Sequence, residues 1–255
     1  MANHQEILQE VVIKFAGDSR DGMQLTGSQF TNNTALLGLD LATFPDFPAE
    51  IRAPIGTLPG VSGFQLRFSS DRIYTPGDEC DVLVAMNAAA LKVNLNALKK
   101  GGKIIANTDG FDAKNLRLAN YADGDNPLEN GSLGAYELVQ MDVTKMTREA
   151  LKDIALGTKE KDRAKNMFVL GFLYWMYNRN MDNTINFIRE KFSKRPEIME
   201  SNIKVLQAGY HYGDTTETFT VRYAVEKAKM QTGTYRSIMG NQALAYGLIA
   251  ASQKS

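Results

Sequence analysis

The chain has 255 residues, 44% hydrophobic and 23% charged, with a formal net charge of zero. That is enough apolar material for one sizeable core, and the neutral balance leaves no electrostatic footprint for nucleic acid or an anionic membrane surface. One cysteine, Cys80, and two histidines exclude an internal disulfide and an all-cysteine iron–sulfur or zinc site, and leave little from which to build a metal centre or a serine–histidine triad.

The opening MANHQEILQE lacks the basic-then-apolar pattern of a signal peptide, and the strongest apolar run, Met167 to Met176, is shorter than a membrane span. These features predict a cytoplasmic protein with Cys80 as a buried or semi-buried thiol.

Val11, Val12, Ile13 and Phe15 form a β-branched and aromatic run that stops at GDSRDG. Beyond the loop, Met23, Thr26 and Phe30 fall on one helical face, so the stretch reads as strand, glycine loop, helix. Such a unit places backbone N–H groups and a positive helix end at the carboxyl edge of a sheet, where a phosphate or carboxylate can be held. The loop has glycine only at Gly17 and Gly22, with Ser19 and Arg20 between them and Asp18 and Asp21 flanking. A dinucleotide site needs a further glycine and disfavours those acids, so a nicotinamide cofactor is a poor fit. The plain alternative is a strand-to-helix turn in which Asp18, Ser19 or Asp21 caps the helix.

Five of the seven prolines (Pro45, Pro48, Pro54, Pro59 and Pro76) follow within one stretch, which predicts loops and strands rather than a long helix. Within it, Val61 to Phe68 alternates as a half-buried antiparallel strand does, and Arg72 to Tyr74 is its expected partner. The segment AEIRAP holds Glu50 and Arg52 in a proline-bracketed loop, either as a surface ion pair or as a guanidinium offered to an anion.

Asp81 to Met86 reads as a fully buried strand, AAALKVNLNALKK as a helix with Leu91, Leu95 and Leu98 on one face, and Gly101-Gly102 as its end before the strand KIIAN. This is a strand–helix–strand crossover and hence a parallel pair. Tyr136 to Val143 is a further strand, followed by a helix over TREALKDIAL. The strands end on small polar residues: Gly17-Asp18, Asn87, Asn107-Thr108-Asp109 and Asp142. Along one carboxyl edge these form a candidate ligand site, although caps and turns use the same residues.

MFVLGFLYWM predicts a helix buried on all sides, whose Tyr174 and Trp175 need partners for their polar atoms. The preceding GTKEKDRAK reads as a solvated charge run. Asp182 can cap a helix carrying Ile185, Ile188 and Phe192, and Pro196 opens another that should close near Gly209. From Gly213 the chain turns polar and threonine-rich, as an extended linker with one strand, Phe219 to Tyr223, would. Asn241 to Gln253 then forms a short Ala/Leu/Gly helix.

Taken together, EVVIKFAGDSRDGMQLTG, FPAEIRAP, GVSGFQLRFSSDRIYTPGDECDVLVAMNAAAL, LKKGGKIIANTD, AKNMFVLGFL and MGNQALAYGLIAA resemble successive blocks of the α-type subunit of 2-oxoacid:ferredoxin oxidoreductases, in the form with a fused N-terminal γ domain and most like the 2-oxoglutarate members. The resemblance implies an α/β fold: a mostly parallel sheet with flanking helices plus a proline-rich antiparallel insertion. It implies a γ-type domain over residues 1–212, a linker over 213–238, and over 239–255 the start of a thiamine-pyrimidine-binding domain cut short before the YPITP-like motif that normally follows.

The family oxidatively decarboxylates a 2-oxoacid with coenzyme A as cosubstrate, using thiamine diphosphate, Mg and iron–sulfur clusters, and reduces ferredoxin. By resemblance, this portion contacts coenzyme A and the partner subunit through Gly17, Asp18, Ser19, Arg20, Asp21, Gly22, Glu50, Arg52 and Asn87. Arg20 stands where many members carry glycine. The implied partners are a β-type thiamine-diphosphate-binding subunit and ferredoxin or a ferredoxin-like subunit; the residues themselves offer no complete catalytic site. A free-standing nucleotide- or small-molecule-binding α/β module is the other reading.

Overall fold

The computed structural model describes residues 4–50, 53–216, 221–236 and 238–254. In chain order the strands are β1 (His4–Leu8), β2 (Glu10–Asp18), β3 (Asp40–Asp46), β4 (Val61–Ser69), β5 (Cys80–Ala85), β6 (Leu98–Asn107), β7 (Glu137–Met141) and β8 (Val221–Val225). The helices are α1 (Met23–Leu36), α2 (Ala88–Asn94), α3 (Ala113–Leu118), α4 (Val143–Ala150), α5 (Thr158–Asp162), α6 (Lys165–Met176), α7 (Asp182–Lys191), α8 (Pro196–Thr216) and α9 (Gly240–Ser252).

Six strands form one sheet in the order β3-β4-β2-β5-β6-β7. β2, β5, β6 and β7 run parallel, and β4 runs antiparallel to both β2 and β3. The period-two alternation of β2 divides the core. Val11, Ile13 and Phe15 join one buried cluster with Met23 and Phe30 of α1 and the apolar residues of α6 and α8. Val12 and Ala16 join a second with Ala88 to Leu91 of α2, Leu116 and Ala119. Helices thus cover both faces, as the parallel reading requires.

α6 is buried from Asn166 to Met176 and packs along α8 at backbone distance. A Cβ on Gly171 would lie 1.9 Å from the Leu206 carbonyl oxygen, and one on Gly209 would lie 1.9 Å from that of Phe168. The Tyr174 hydroxyl, as predicted, finds partners: Thr184 Oγ1 at 2.7 Å and the Gln29 carbonyl at 3.2 Å.

Several boundaries differ from the sequence pattern, each for a tertiary reason. α8 does not close near Gly209 but continues to Thr216, because that glycine serves the contact with α6 rather than a helix end. α2 stops at Asn94, whose side chain turns back to the Ala90 carbonyl at 2.8 Å. Leu98 therefore opens β6, and Gly101-Gly102 lies inside that strand where the register with β5 breaks, Gly101 taking φ 76°. α4 begins at Val143, earlier than TREALKDIAL implies, because the Asp142 carboxylate accepts the Lys145 N–H at 3.0 Å. For α7 the capping position is Met181, and Asp182 sits in the first turn instead.

β4 is central rather than half-buried. Its Gln65 is buried and donates to the carbonyls of Pro76 (2.9 Å) and Gly77 (2.6 Å), and Arg67 pairs with Glu10 at 2.7 Å. Its second neighbour is β3, which precedes it, whereas Arg72 to Tyr74 is a loop tied by the Ile73 N–H to Asp40 at 2.9 Å. The polar stretch after α8 supplies β8, which pairs in parallel with β1; Phe219 and Thr220 of the expected strand lie outside the described residues. Among the described residues, no helix is long and apolar enough to cross a membrane.

Candidate functional site

β2 delivers the chain to the carboxyl edge of the parallel strands. There Gly22, in the left-handed region at φ 73°, opens α1 with no side-chain cap. Neither Asp18, Ser19 nor Asp21 caps the helix, because both acids have other partners. Asp21 takes the Asp18 N–H on Oδ2 at 2.8 Å and pairs through Oδ1 with Lys165 Nζ at 2.6 Å. Asp18 accepts the Gly56 N–H on both carboxylate oxygens, at 3.1 and 3.2 Å, and the Asn87 side-chain amide on Oδ2 at 3.1 Å. Gly56 can meet it because it adopts φ 83°, which an L side chain rarely does.

Asn87 does two jobs. Its Oδ1 caps α2 by accepting the Ala90 N–H at 2.8 Å, which leaves its amide for Asp18. Asn107, one strand further on, donates to the Met86 carbonyl at 3.2 Å and accepts the Val143 N–H at 3.1 Å. The strand ends are thus cross-linked along the edge by side-chain amides and carboxylates.

The electrostatics follow from burial. Removal from water pushes the Asp18 carboxyl up to about 6; Asp21 adds to the rise, while the Gly56 hydrogen bond, Lys165 and Arg20 oppose it. The Cys80 thiol, buried in β5, is pushed up to about 12 by the same cause and is a poor nucleophile or metal ligand.

Of the residues singled out from sequence, Gly17, Asp18, Asp21 and Asn87 are buried and lie together, and Gly22 is half-buried at the helix start. Ser19 and Arg20 are exposed at the loop tip, and Arg20 makes no ion pair among the described residues. Glu50 is exposed, with its N–H bonded to the Pro59 carbonyl at 3.3 Å. Arg52 lies outside the described residues.

Two participants were missed. Gly56 is anonymous in a proline-rich loop. Lys165 closes the run read as a solvated face, yet it begins the apolar helix α6, where a cation is electrostatically misplaced unless an acid meets it; that was the available signal. Two open clefts, of about 610 and 890 Å³, lie elsewhere, lined by residues of α1 together with residues from 230–236 and 238–246, and neither touches the loop.

An open, mostly parallel sheet with helices on both faces, a strand–glycine loop–helix unit at its carboxyl edge and an antiparallel proline-rich insertion defines an open-sheet α/β domain whose candidate site lies at the carboxyl edge of the strands. Residues 12–212 match the family model described as pyruvate ferredoxin/flavodoxin oxidoreductase, and the chain belongs to that family. It is 51% identical over 252 residues to the 2-oxoglutarate oxidoreductase subunit KorA of Mycobacterium tuberculosis, a match that covers 99% of this chain and 38% of that protein. The chain therefore spans well under half the length of this curated relative.

Among solved structures, the 2-oxoglutarate:ferredoxin oxidoreductase of Magnetococcus marinus, with 2-oxoglutarate, coenzyme A and succinyl-CoA bound, is similar with a TM-score of 0.66 and 22% identity. That match covers 87% of this chain and 34% of that one. The gamma subunit of a keto/oxoacid ferredoxin oxidoreductase from Geobacter sulfurreducens is similar with a TM-score of 0.53 and 18% identity, over 80% of this chain and 99% of that one. At these identities the structures speak for the fold.

Proposed function

We propose that the chain is the γ-type portion of the α-type subunit of a 2-oxoglutarate:ferredoxin oxidoreductase, an enzyme that oxidatively decarboxylates the 2-oxoacid with coenzyme A and passes the electrons to ferredoxin. The observation that carries this reading is the 51% identity to KorA over 99% of the chain. The reading takes residues 1–212 as the γ-type domain, 213–238 as the linker and 239–255 as the opening of a thiamine-pyrimidine-binding domain. It also takes the protein as cytoplasmic.

In this reading the carboxyl edge faces the coenzyme A path and a β-type partner subunit. Arg20, exposed and without an ion pair among the described residues, meets an anionic group of the cosubstrate, and Arg52 is the second guanidinium available from sequence. Asp18, Asp21 and Asn87 shape the loop beneath, and Glu50 faces out from the proline-bracketed segment. The residues described do not fit thiamine diphosphate or a cluster: the cysteine is single and buried, and no group of three or more His, Cys, Asp or Glu is placed to hold a metal ion. Those groups, with Mg, supply the decarboxylation and electron-transfer chemistry from other parts of the complete enzyme.

Expression of the whole reading frame with a β-type thiamine-diphosphate-binding subunit tests the proposal. The expected result is a heteromeric complex that reduces ferredoxin when given both 2-oxoglutarate and coenzyme A. Failure to associate, with no turnover of any 2-oxoacid, would overturn it.

A further inference from the structure

Asp18 sits where an uncharged residue would be easier to keep. It is 5% exposed, and Lys165, the cation beside it, is engaged by Asp21. An asparagine could accept the Gly56 N–H with one oxygen and leave no charge to bury. What the carboxylate adds is a second acceptor: both oxygens hold Gly56, and one also holds Asn87. The glycine it grips belongs to the loop between Pro48 and Pro59, whose own ties are short-range: Glu50 N–H to Pro59, Ala53 N–H to Glu50 and Thr57 N–H to Pro54. Among the described residues, Asp18 is thus the long-range side-chain hydrogen-bonding link from that loop to the end of β2. On the other side, Asp21 and Lys165 brace the glycine loop against α6.

We propose that Asp18 is a positioning residue that docks the proline-bracketed loop against the glycine loop, and so sets the coenzyme A contact of the complete enzyme. The proposal rests on the cosubstrate reading above. It also makes that contact sensitive to acid. The charged groups facing Asp18 are Asp21 and Arg20 from its own loop and Lys165 from α6, while Gly56 and Asn87 present N–H donors. The Gly56 hydrogen bond lowers the carboxyl against the burial that raises it, so the ionised form holds Gly56 more tightly and a proton, which turns one acceptor oxygen into a donor among donors, weakens that bond. The carboxyl is pushed up to about 6, so this happens within the working range of an enzyme assay.

The test uses the full-length subunit in its complex, as wild type, Asp18→Asn and Asp18→Ala. KM for coenzyme A and kcat are measured from pH 5.5 to 8, with hydrogen exchange at the 53–60 amides corrected for intrinsic rate. The expected result is a KM raised tenfold or more in Asp18→Ala and about threefold in Asp18→Asn, with kcat within threefold of wild type. Gly56 should lose protection in Asp18→Ala. Wild-type KM should rise as pH falls through about 6, and Asp18→Asn should not follow it.

Wild-type KM and an unchanged pH profile in both variants would overturn the proposal. So would a parallel fall of kcat, kcat/KM and melting temperature in Asp18→Asn, which marks a merely structural role. An enzyme with no coenzyme A dependence sinks the cosubstrate reading instead, and the exchange data still decide whether Asp18 holds the loop: unchanged protection at Gly56 in Asp18→Ala overturns the docking.

Discussion

The contact between α6 and α8 and the carboxyl edge of β2 are both buried and tightly specified, yet they are built on opposite terms. Between the helices, glycines let backbones touch: Gly171 against Leu206, Gly209 against Phe168, and Gly213 against the Trp175 ring. The side chains buried around that contact are mostly apolar and none is charged, so burial and close packing act in the same direction. At the edge, Asp18 and Asp21 are held away from water and Lys165 partly so, and charge desolvation opposes the hydrogen bonds that fix them. The first region supplies stability. The second holds a geometry against a free-energy cost, which is where function is sought.

The widest separation between the two comes from overfilling the helix contact. Gly209→Val adds a branched side chain where even a Cβ would stand 1.9 Å from a backbone oxygen, so α8 must move off α6. The expected loss is at least about 3 kcal/mol, read by urea unfolding, and failure to fold at 37 °C is consistent with it. A variant of wild-type stability would mean that the helices do not meet at that point.

Breaking the edge comes next. Lys165→Ala leaves Asp21 buried without its cation, the side chains being 22% and 8% exposed in the pair. A loss of about 2–3 kcal/mol is expected, below the value of about 3–5 for fully buried pairs because Lys165 keeps some solvent. Asp18 loses an opposing positive charge in the same variant, so its carboxyl should titrate still higher. An unchanged Asp18 titration, followed by carboxyl NMR shifts, would show that Lys165 does not act there.

Asp18→Asn has a smaller effect and the opposite sign. In the folded chain the carboxyl is raised to about 6 from an ordinary 3.8, so the native state binds the proton more tightly than the unfolded chain. Stability from this group is therefore full below about pH 4 and is lost as pH rises through about 6. The asparagine variant does not ionise. At pH 7.5 it should equal or exceed wild type by about 1 kcal/mol, less than the shift alone implies because the second acceptor is gone. The difference should vanish or reverse at pH 5. A variant less stable than wild type at both pH values would make Asp18 a stabilising residue and erase the contrast with the helix contact.

This contrast also explains what the sequence could reveal. The β2–loop–α1 unit and α6 are local patterns: a β-branched run stopped by Gly17, and an apolar helix too uniform to be anything but buried. The family blocks made the fold legible too. The pairing of β1 with β8 was not, because it joins His4–Leu8 to Val221–Val225 across almost the whole chain. The end of α2 was hidden because Leu98 keeps helical spacing while serving as a strand residue paired with Cys80. At the site, Asp18, Asp21 and Asn87 were named from loop and strand-end chemistry, and their mutual contacts follow the sheet. Gly56 and Lys165 enter only through tertiary approach, one by a positive φ and the other by a distant acid.

α9 offers the smallest expected effect and the sharpest control. Leu244, Tyr246, Leu248 and Ile249 are as apolar as the residues of α6, yet they are 56–65% exposed, whereas Leu206 of α8 is fully buried. If burial rather than composition sets the energetics, Leu206→Ala should cost about 2–5 kcal/mol and Leu248→Ser no more than about 0.5 kcal/mol, the latter from helix propensity alone. Urea unfolding of both variants at two protein concentrations checks this. A loss near 2 kcal/mol for Leu248→Ser that grows with concentration would mean that α9 is buried against another molecule in solution. The same loss without concentration dependence would place it against its own chain.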